Sequence, residues 1–277
     1  MKQSVNQQTG RQTLARIASL FIVSTTALVG ASQARAGQVI YATGFEPPTF
    51  VANTPLVGQD GWIAPPPFSP NAAMVTRDHP RIGRQTVHVL GADLEHQDFI
   101  NEATAGYYDA IGSYRHPVNY DTGGTKTIHV SAWVRIDGPK TTKGNNFFSA
   151  SIAAIGADND GNASGVGELA LSSDGHVYGY SSQDLVPTFL TSARVRLGEW
   201  HRLTVEVNFA ARTYSFLVDG KSLGTFAFDP SATSNTLLRG SLIAYAAPDT
   251  ATQTKADYAA HFDRFSIGVG SDDNCEK

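Results

Sequence analysis

Cysteine is almost absent from this 277-residue chain, which has only Cys275. A single cysteine cannot form an intramolecular disulfide, so packing, or packing plus a metal ion, must hold the fold together. The thiol lies close to the C-terminus, where it could cross-link two copies into a dimer or belong to a frayed end without a role. The sequence leaves both alternatives open.

Long apolar runs are also scarce, and the one that stands out is "IASLFIVSTTALVGA" at 17–31. It is too short to cross a membrane as a stable helix. A basic start precedes it, and the small residues "ARA" follow at 34–36, where a signal peptidase needs them. We therefore predict a cleaved signal peptide at 1–36 and a secreted mature chain, periplasmic or extracellular, without a membrane span. A membrane anchor is the weaker alternative.

Positive charge is in short supply. The chain has 21 Lys and Arg against 25 Asp and Glu, and four of the basic residues lie in the predicted signal peptide. The mature chain would thus carry a net charge of −8, with 17 basic and 25 acidic residues. Such a surface repels phosphate backbones, and no basic stripe offsets it. Nucleic acid is therefore excluded as an expected partner.

Amphipathic helical periodicity is missing, and alternation of period two takes its place. In "EWHRLTVEVNF" (199–209), every second residue belongs to one face. That face consists of His201, Leu203, Val205, Val207 and Phe209. The same alternation follows in 214–218, and "DGK" at 219–221 gives an Asp-Gly hairpin signal before 222–228. The pattern predicts a meander of three antiparallel strands.

Many other short segments have strand patterns. They lie at 84–90, 127–136, 147–155, 166–172, 175–180, 240–246 and 260–267. Together with 26 glycines and 13 prolines, they predict a jelly roll or sandwich of two packed sheets. The prolines at 65–67 and 70 predict an extended loop. Because the sequence after residue 36 contains no linker long enough to separate two domains, we expect one domain over 37–277.

Three segments carry a resemblance to a known family. The block 197–228, with Trp200 opening a strand and "VDGK" forming the turn, resembles laminin-G-like, concanavalin A-like domains. The segments 45–62 and 261–268 are similar to the first and last segments of such domains in secreted bacterial proteins. The resemblance implies an all-β, two-sheet antiparallel jelly-roll sandwich. This fold hosts lectins, carbohydrate-binding modules, hydrolases, lyases and adhesive modules, so function must come from the site.

Signatures of several enzyme classes are missing. The fold's β-glucan hydrolases carry a Glu-x-Asp-x-Glu triplet, and the acidic groupings at 93–98 and 167–174 have the wrong spacing. Neither a Gly-x-Ser-x-Gly elbow nor a zinc-binding His-Glu-x-x-His is present. These absences favour a role without catalysis.

A polysaccharide lyase is the alternative, because it needs only a group that neutralises a carboxylate and a Tyr or His that moves a proton. The segment 106–120 supplies such residue types, and the candidates are Tyr107, Arg115, His116 and Tyr120. The motifs that the resemblance would bring from alginate lyases are not intact. The same residues fit a groove that binds without cleaving.

Sugar binding is the main functional prediction. Aromatic rings stack on pyranose faces while polar side chains take the hydroxyls. The candidate ligand-binding residues are Tyr107, Tyr108, Tyr114, Arg115, Tyr120, Tyr178 and Tyr180. Core packing is the competing interpretation for these aromatics. We therefore predict a secreted module that binds a glycan or other extracellular polymer, with a lyase or hydrolase and an envelope or matrix adhesion protein as alternatives.

Calcium is the one cofactor that the sequence suggests. Asp158, Asp160 and Asn162 stand at alternate positions, as in an oxygen-rich calcium loop, although no glutamate closes the loop at Leu169. The resemblance implies a second candidate, in which Glu46 and Asp263 share a structural calcium. Two adjacent carboxylates repel unless a cation or a proton relieves them. A surface turn explains the first stretch equally well, and the alternative for the pair is that each carboxylate points to solvent.

Overall fold

A computed structural model describes residues 38–94, 96–97, 109–139, 148–180, 188–228, 230, 232–246 and 254–270. The predicted signal peptide, Tyr107, Tyr108 and Cys275 lie outside these residues. The described strands are β1 Val39–Thr43, β2 Thr54–Pro55, β3 Ala73–Thr76, β4 Thr86–Leu90, β5 His96–Gln97, β6 Asp109–Asp121, β7 Thr127–Asp137, β8 Phe148–Ala157, β9 Ala163–Ser172, β10 His176–Tyr180, β11 Thr188–Arg194, β12 His201–Asn208, β13 Thr213–Val218, β14 Lys221–Ala227, β15 Thr236–Ala246 and β16 Ala259–Val269.

These strands form two antiparallel sheets that pack on one hydrophobic core. The nine-stranded sheet has the order β14-β13-β12-β7-β16-β4-β3-β2, with β1 also paired to β16. The seven-stranded sheet has the order β11-β10-β9-β8-β15-β6-β5. The all-β, two-sheet antiparallel sandwich is thereby confirmed. Within the described residues, no helix is long and apolar enough to cross a bilayer.

The predicted meander is present as β12, β13 and β14. The apolar face of β12 is buried as the alternation requires, from His201 at 9% exposure to Leu203 and Val205 at 0%. The turn between β13 and β14 places Asp219 and Gly220 at φ of 50° and 74°, the left-handed pair that a type I′ hairpin needs. Local pattern and turn chemistry therefore determine this part of the sheet.

The segment around residues 109–121 forms a long strand that the sequence patterns did not predict. Strand β6 lies between β15 and β5 although it contains Pro117, which has no N–H to donate. Pro117 pairs with Arg239 next to the register shift between Leu237 and Arg239 on β15. A proline inside a sheet is tolerated at such an irregularity.

Strand β16 divides one of its edges between two partners. Its first part, 259–262, pairs with β4, and 265–268 pairs with β1. Arg264 lies between them at φ 51°, and the loop 81–85 enters β4 at this junction. The chain leaves β1 just before Glu46, so Glu46, Asp263 and this loop come together where β1 gives way to β4.

Candidate functional site

The candidate site lies on the outward face of the seven-stranded sheet, the face turned away from the core. Alternation puts Leu169, Ile152 and Leu242 into the core, so their strand neighbours point outward. The register of β9, β8, β15 and β6 aligns one outward row across four strands. That row runs Glu168, Ala153, Ser241, Arg115.

The middle of this outward face is made of small side chains. Ser151, Ala153 and Ser241 are exposed by 2%, 0% and 2%. The larger side chains of Glu168 and Arg239 on either side are only partly buried. These three small side chains form a floor between larger charged side chains at its rim, and at 2% exposure or less the floor is almost wholly covered.

Glu168 is an acidic group of the outward face. Ser151 Oγ donates a hydrogen bond to Glu168 Oε1 over 2.5 Å. Burial raises the pKa of Glu168 from 4.5 to about 7, against the opposing effect of the Ser151 hydrogen bond. A carboxyl group with this pKa can both give and take a proton near neutral pH.

Arg115 and Arg239 form the basic part of the outward face. Arg239 lies two positions before Ser241, the register partner of Arg115, so the two guanidinium groups are diagonal neighbours. Burial lowers the pKa of Arg115; burial and then repulsion from Arg115 lower that of Arg239 to about 10. The loop that follows Ile63 closes this side, because Ile63 pairs with Arg115 and the Arg115 guanidinium lies 5.4 Å from the centre of the Phe68 ring.

A hydrogen-bonded network occupies the other end of the face, at the β9–β10 turn. The Asp174 carboxylate contacts His176 Nδ1 at 2.8 Å and accepts a hydrogen bond from the Tyr178 hydroxyl at 3.3 Å. Burial raises the pKa of Asp174, but hydrogen bonds from His176 and Ser172 outweigh it, so that the pKa is lowered overall. The charged carboxylate thereby fixes the orientation of the imidazole.

The structure separates the residues that were grouped for a lyase. Arg115 and His116 are adjacent on β6 and therefore point to opposite sides of the sheet. His116 stacks on Tyr41 with ring centres 3.5 Å apart, and its Nε2 lies 3.0 Å from the Asp60 carbonyl. Tyr120 packs against the core, and its hydroxyl accepts a hydrogen bond from Lys126 Nζ at 2.6 Å. Only Arg115 of these described residues is on the outward face.

The aromatic candidates for sugar binding are dispersed. Tyr114 is 0% exposed inside the core, so its ring reaches neither surface. Core packing, the competing interpretation of these aromatics, therefore describes Tyr114. Tyr178 belongs to the outward face but is only 3% exposed. The backbone of Tyr180 pairs in register with Glu168, and the side chain of Tyr180 lies outside the part of the chain that the structure describes. Sugar contact by these residues stays a prediction.

Sequence reasoning missed Glu168, Arg239 and His176 as members of a site. One signal was available: in "VGELALS" the charged Glu168 alternates with apolar residues, as an outward-facing residue of a half-buried strand does. The strand order that aligns Glu168 with Arg115 in one row has no comparable signal in the sequence.

The proposed calcium pair, Glu46 and Asp263, meets at one loop. Glu46 Oε1 accepts hydrogen bonds from the N–H groups of Arg84 at 2.7 Å and Gln85 at 3.1 Å. Asp263 Oδ2 accepts from Arg81 and Ile82 at 3.0 and 3.1 Å. Backbone N–H groups thus already use Glu46 Oε1 and Asp263 Oδ2, two of the oxygens that a cation would need.

The second calcium candidate, 158–162, is a tight hairpin between β8 and β9. Asp158 Oδ1 accepts the N–H groups of Asp160 and Asn162 at 2.9 and 2.8 Å. The hydrogen bonds from Asn162 are the main cause that lowers the pKa of Asp158. Among the described residues, no group of three or more His, Cys, Asp and Glu side chains could hold a metal ion. Calcium remains a prediction at both places.

Comparison with known proteins places the fold. No protein-family model matches the chain, and no curated protein matches it in sequence. The solved structure of endo-1,3-β-glucanase from Streptomyces sioyaensis matches 86% of this chain and 98% of its own, with 12% identity and a TM-score of 0.57.

Two further solved structures bear on the comparison. One of them matches 84% of this chain and 100% of its own. Its description concerns endo-acting O-glycanases, which prominent members of the human gut microbiota express to initiate mucin breakdown. Its identity is 9% and its TM-score 0.50. A sialidase matches 77% of this chain but only 17% of its own length, with 15% identity and a TM-score of 0.42, too low for a fold argument. The likeness to concanavalin A-like jelly-roll domains is confirmed at the level of the fold.

Proposed function

We propose that the protein binds an extracellular carbohydrate polymer along the outward face of the seven-stranded sheet. The observation that carries this proposal is the floor of small side chains, Ser151, Ala153 and Ser241, between the partly buried charged side chains of Glu168 and Arg239. Small side chains leave room for sugar rings once the longer side chains beside them swing outward, and the charged groups of the rim supply hydrogen bonds. The likeness in fold to an endo-1,3-β-glucanase supports carbohydrate as the ligand class.

Filling the floor tests the proposal. The substitution Ser241→Leu adds bulk at the centre of the row, and we expect at least a tenfold loss of retention on polysaccharide columns, about 1.4 kcal/mol. The matched control is Ser222→Leu on β14 of the other sheet, where the side chain is exposed. Melting temperatures of both variants report whether they fold. Equal retention of wild type and a folded Ser241→Leu variant would contradict binding at this face.

Cleavage of the polymer is a second candidate function, and the raised pKa of Glu168 favours it. Retaining and inverting hydrolysis need two carboxyl groups, whereas a lyase needs one group that moves a proton. Glu168 is the acid in the row that includes Arg115, so proton transfer by Glu168 fits a lyase better than a hydrolase. Incubation with polyuronates, followed by ultraviolet absorbance of unsaturated products, tests this candidate; retention without product in the wild type excludes it.

A further inference from the structure

We propose that Arg115 and Arg239 form an anion-binding subsite that recognises the acidic group of a negatively charged polysaccharide. This inference rests on the proposed function and specifies the class of its ligand. It starts from the placement of two like charges side by side on the partly buried outward face.

Arg239 has an incomplete set of contacts. Its Nε atom is buried and has no hydrogen-bond partner among the described residues. A guanidinium group carries five N–H donors, which ordinarily donate to carboxylates, carbonyls or water. Leaving a buried donor without a partner destabilises the fold, and a bound anion would supply the missing acceptor.

Arg115 is only weakly engaged. Its Nε donates to Ser113 Oγ over 3.4 Å, and its guanidinium lies over the Phe68 ring, 5.4 Å from the ring centre. Neither Arg115 nor Arg239 makes an ion pair with a carboxylate in the part of the chain that the structure describes. An aromatic ring beneath a guanidinium holds its plane while leaving its edge available for a bidentate contact.

Charge balance points in the same direction. The mature chain is expected to be acidic overall, yet two cations are adjacent here and repel each other. Half-buried like charges destabilise the fold unless an anion neutralises them. Structural needs do not explain the pair, since a single arginine or a neutral side chain at either position would avoid that repulsion. Recognition of an anion does explain it.

The ligand must present its anion at the rim while its sugar rings lie on the floor. Because Ser241 is the register partner of Arg115 and separates it from Ala153 and Glu168, the acidic group would sit at one end of the row. A carboxylate of a uronic acid and a sulfate ester share the required chemistry: two or more oxygens that accept paired N–H donors. Neutral glucans lack it.

Retention on immobilised polymers tests the subsite. The probes are polygalacturonate and alginate for carboxylates, dextran sulfate for sulfate esters, and dextran as the neutral polymer. We expect retention on an acidic polymer that decreases as salt increases. Arg115→Gln and Arg239→Gln should each weaken it at least tenfold, whereas Arg77→Gln, an exposed arginine after β3, removes the same charge without effect. Arg239→Lys, which keeps the charge, should restore part of the binding.

The outcomes separate the two proposals. Retention on dextran but on no acidic polymer, or acidic retention that a folded Arg239→Gln variant keeps, overturns the subsite and leaves the binding face intact. No retention on any polymer overturns the binding face and the subsite with it. Preference between the carboxylate and sulfate arms identifies the source of the anion, and melting curves establish that each variant is folded.

Discussion

Glu46 and Asp263 hold the same loop. Each accepts two backbone N–H groups from residues 81–85, Glu46 at the C-terminal end of the loop and Asp263 at its start. Asp263 also accepts the N–H of Arg264 through its other oxygen at 2.7 Å. The loop is thus fixed between the segment that follows β1 and the middle of β16, and Glu46 has a structural role that does not require catalysis.

Asp263→Asn should destabilise the protein. Asp263 is 0% exposed, and an amide would replace one acceptor oxygen by a donor facing other donors. We expect a loss of about 1–3 kcal/mol, which lowers the melting temperature by several degrees. The control is Asp160→Asn in the exposed 158–162 hairpin, where we expect about 0.5 kcal/mol or less. Equal melting temperatures for the two variants would contradict the role of Asp263.

Gly83→Ala tests the same loop from the other side. Gly83 has φ +88°, and a Cβ there would overlap the Glu46 carboxylate. The substitution should therefore displace Glu46 and lower the melting temperature. Gly220→Ala has a similar left-handed φ of 74° but nothing near its Cβ, so it measures the backbone strain alone. A loss no larger than that of Gly220→Ala would show that the carboxylate is not displaced.

The calcium prediction is decided by chelation. A bound structural calcium stabilises the folded state, so its removal should lower the melting temperature and added calcium should restore it. The Asp263→Asn and Asp160→Asn variants would then identify the site by losing the response. Because backbone N–H groups occupy the carboxylates at both places, the geometry favours an unchanged midpoint, a result that would remove the calcium prediction.

The raised pKa of Glu168 makes stability depend on pH. In the folded protein the Glu168 carboxyl group keeps its proton up to about pH 7, whereas an ordinary glutamate loses its proton near pH 4.5. Glu168 is therefore without effect in acid and destabilises the fold increasingly as pH rises from 4.5 to about 7. The free energy of unfolding of Glu168→Gln should exceed that of wild type by about 1–3 kcal/mol at alkaline pH, and its melting temperature should be higher there. In acid the two proteins should be equally stable. Glu199→Gln controls for the loss of one exposed charge; a gain that does not vary with pH would contradict the assignment.

His261 predicts the opposite dependence. Burial, with repulsion from His88, lowers the pKa of His261, and Asp137, at 3.1 Å from its Nε2, only partly offsets this. His79 and Arg135 also face the ring and disfavour its protonation. The fold should therefore lose stability as pH falls below about 6.5. His261→Gln should flatten this loss in thermal melts across acidic pH; an unchanged slope would exclude His261 as its source.

The sequence predicted the elements whose information is local. The alternation in 199–209 and the Asp-Gly pair at 219–220 specify buried faces and a turn within a few residues, and the structure has them. Strand β6 contains Pro117, which argues against a strand, and the irregularity of β15 opposite it makes the strand possible. Likewise, the types of Arg115 and His116 do not show which way each side chain points, whereas strand geometry puts such neighbours on opposite sides of the sheet.

The sequence by itself determined the all-β class, the two-sheet architecture and the acidic balance, because composition and period-two alternation act locally and sum over the chain. Only the tertiary structure decided which polar residues share a surface. The order β9-β8-β15-β6 joins strands that are far apart in the chain, and it alone aligns Glu168, Ser241 and Arg115 in one row. Pairing of distant strands depends on the complementarity of whole sheet edges and of the core beneath them, which no short stretch of sequence contains.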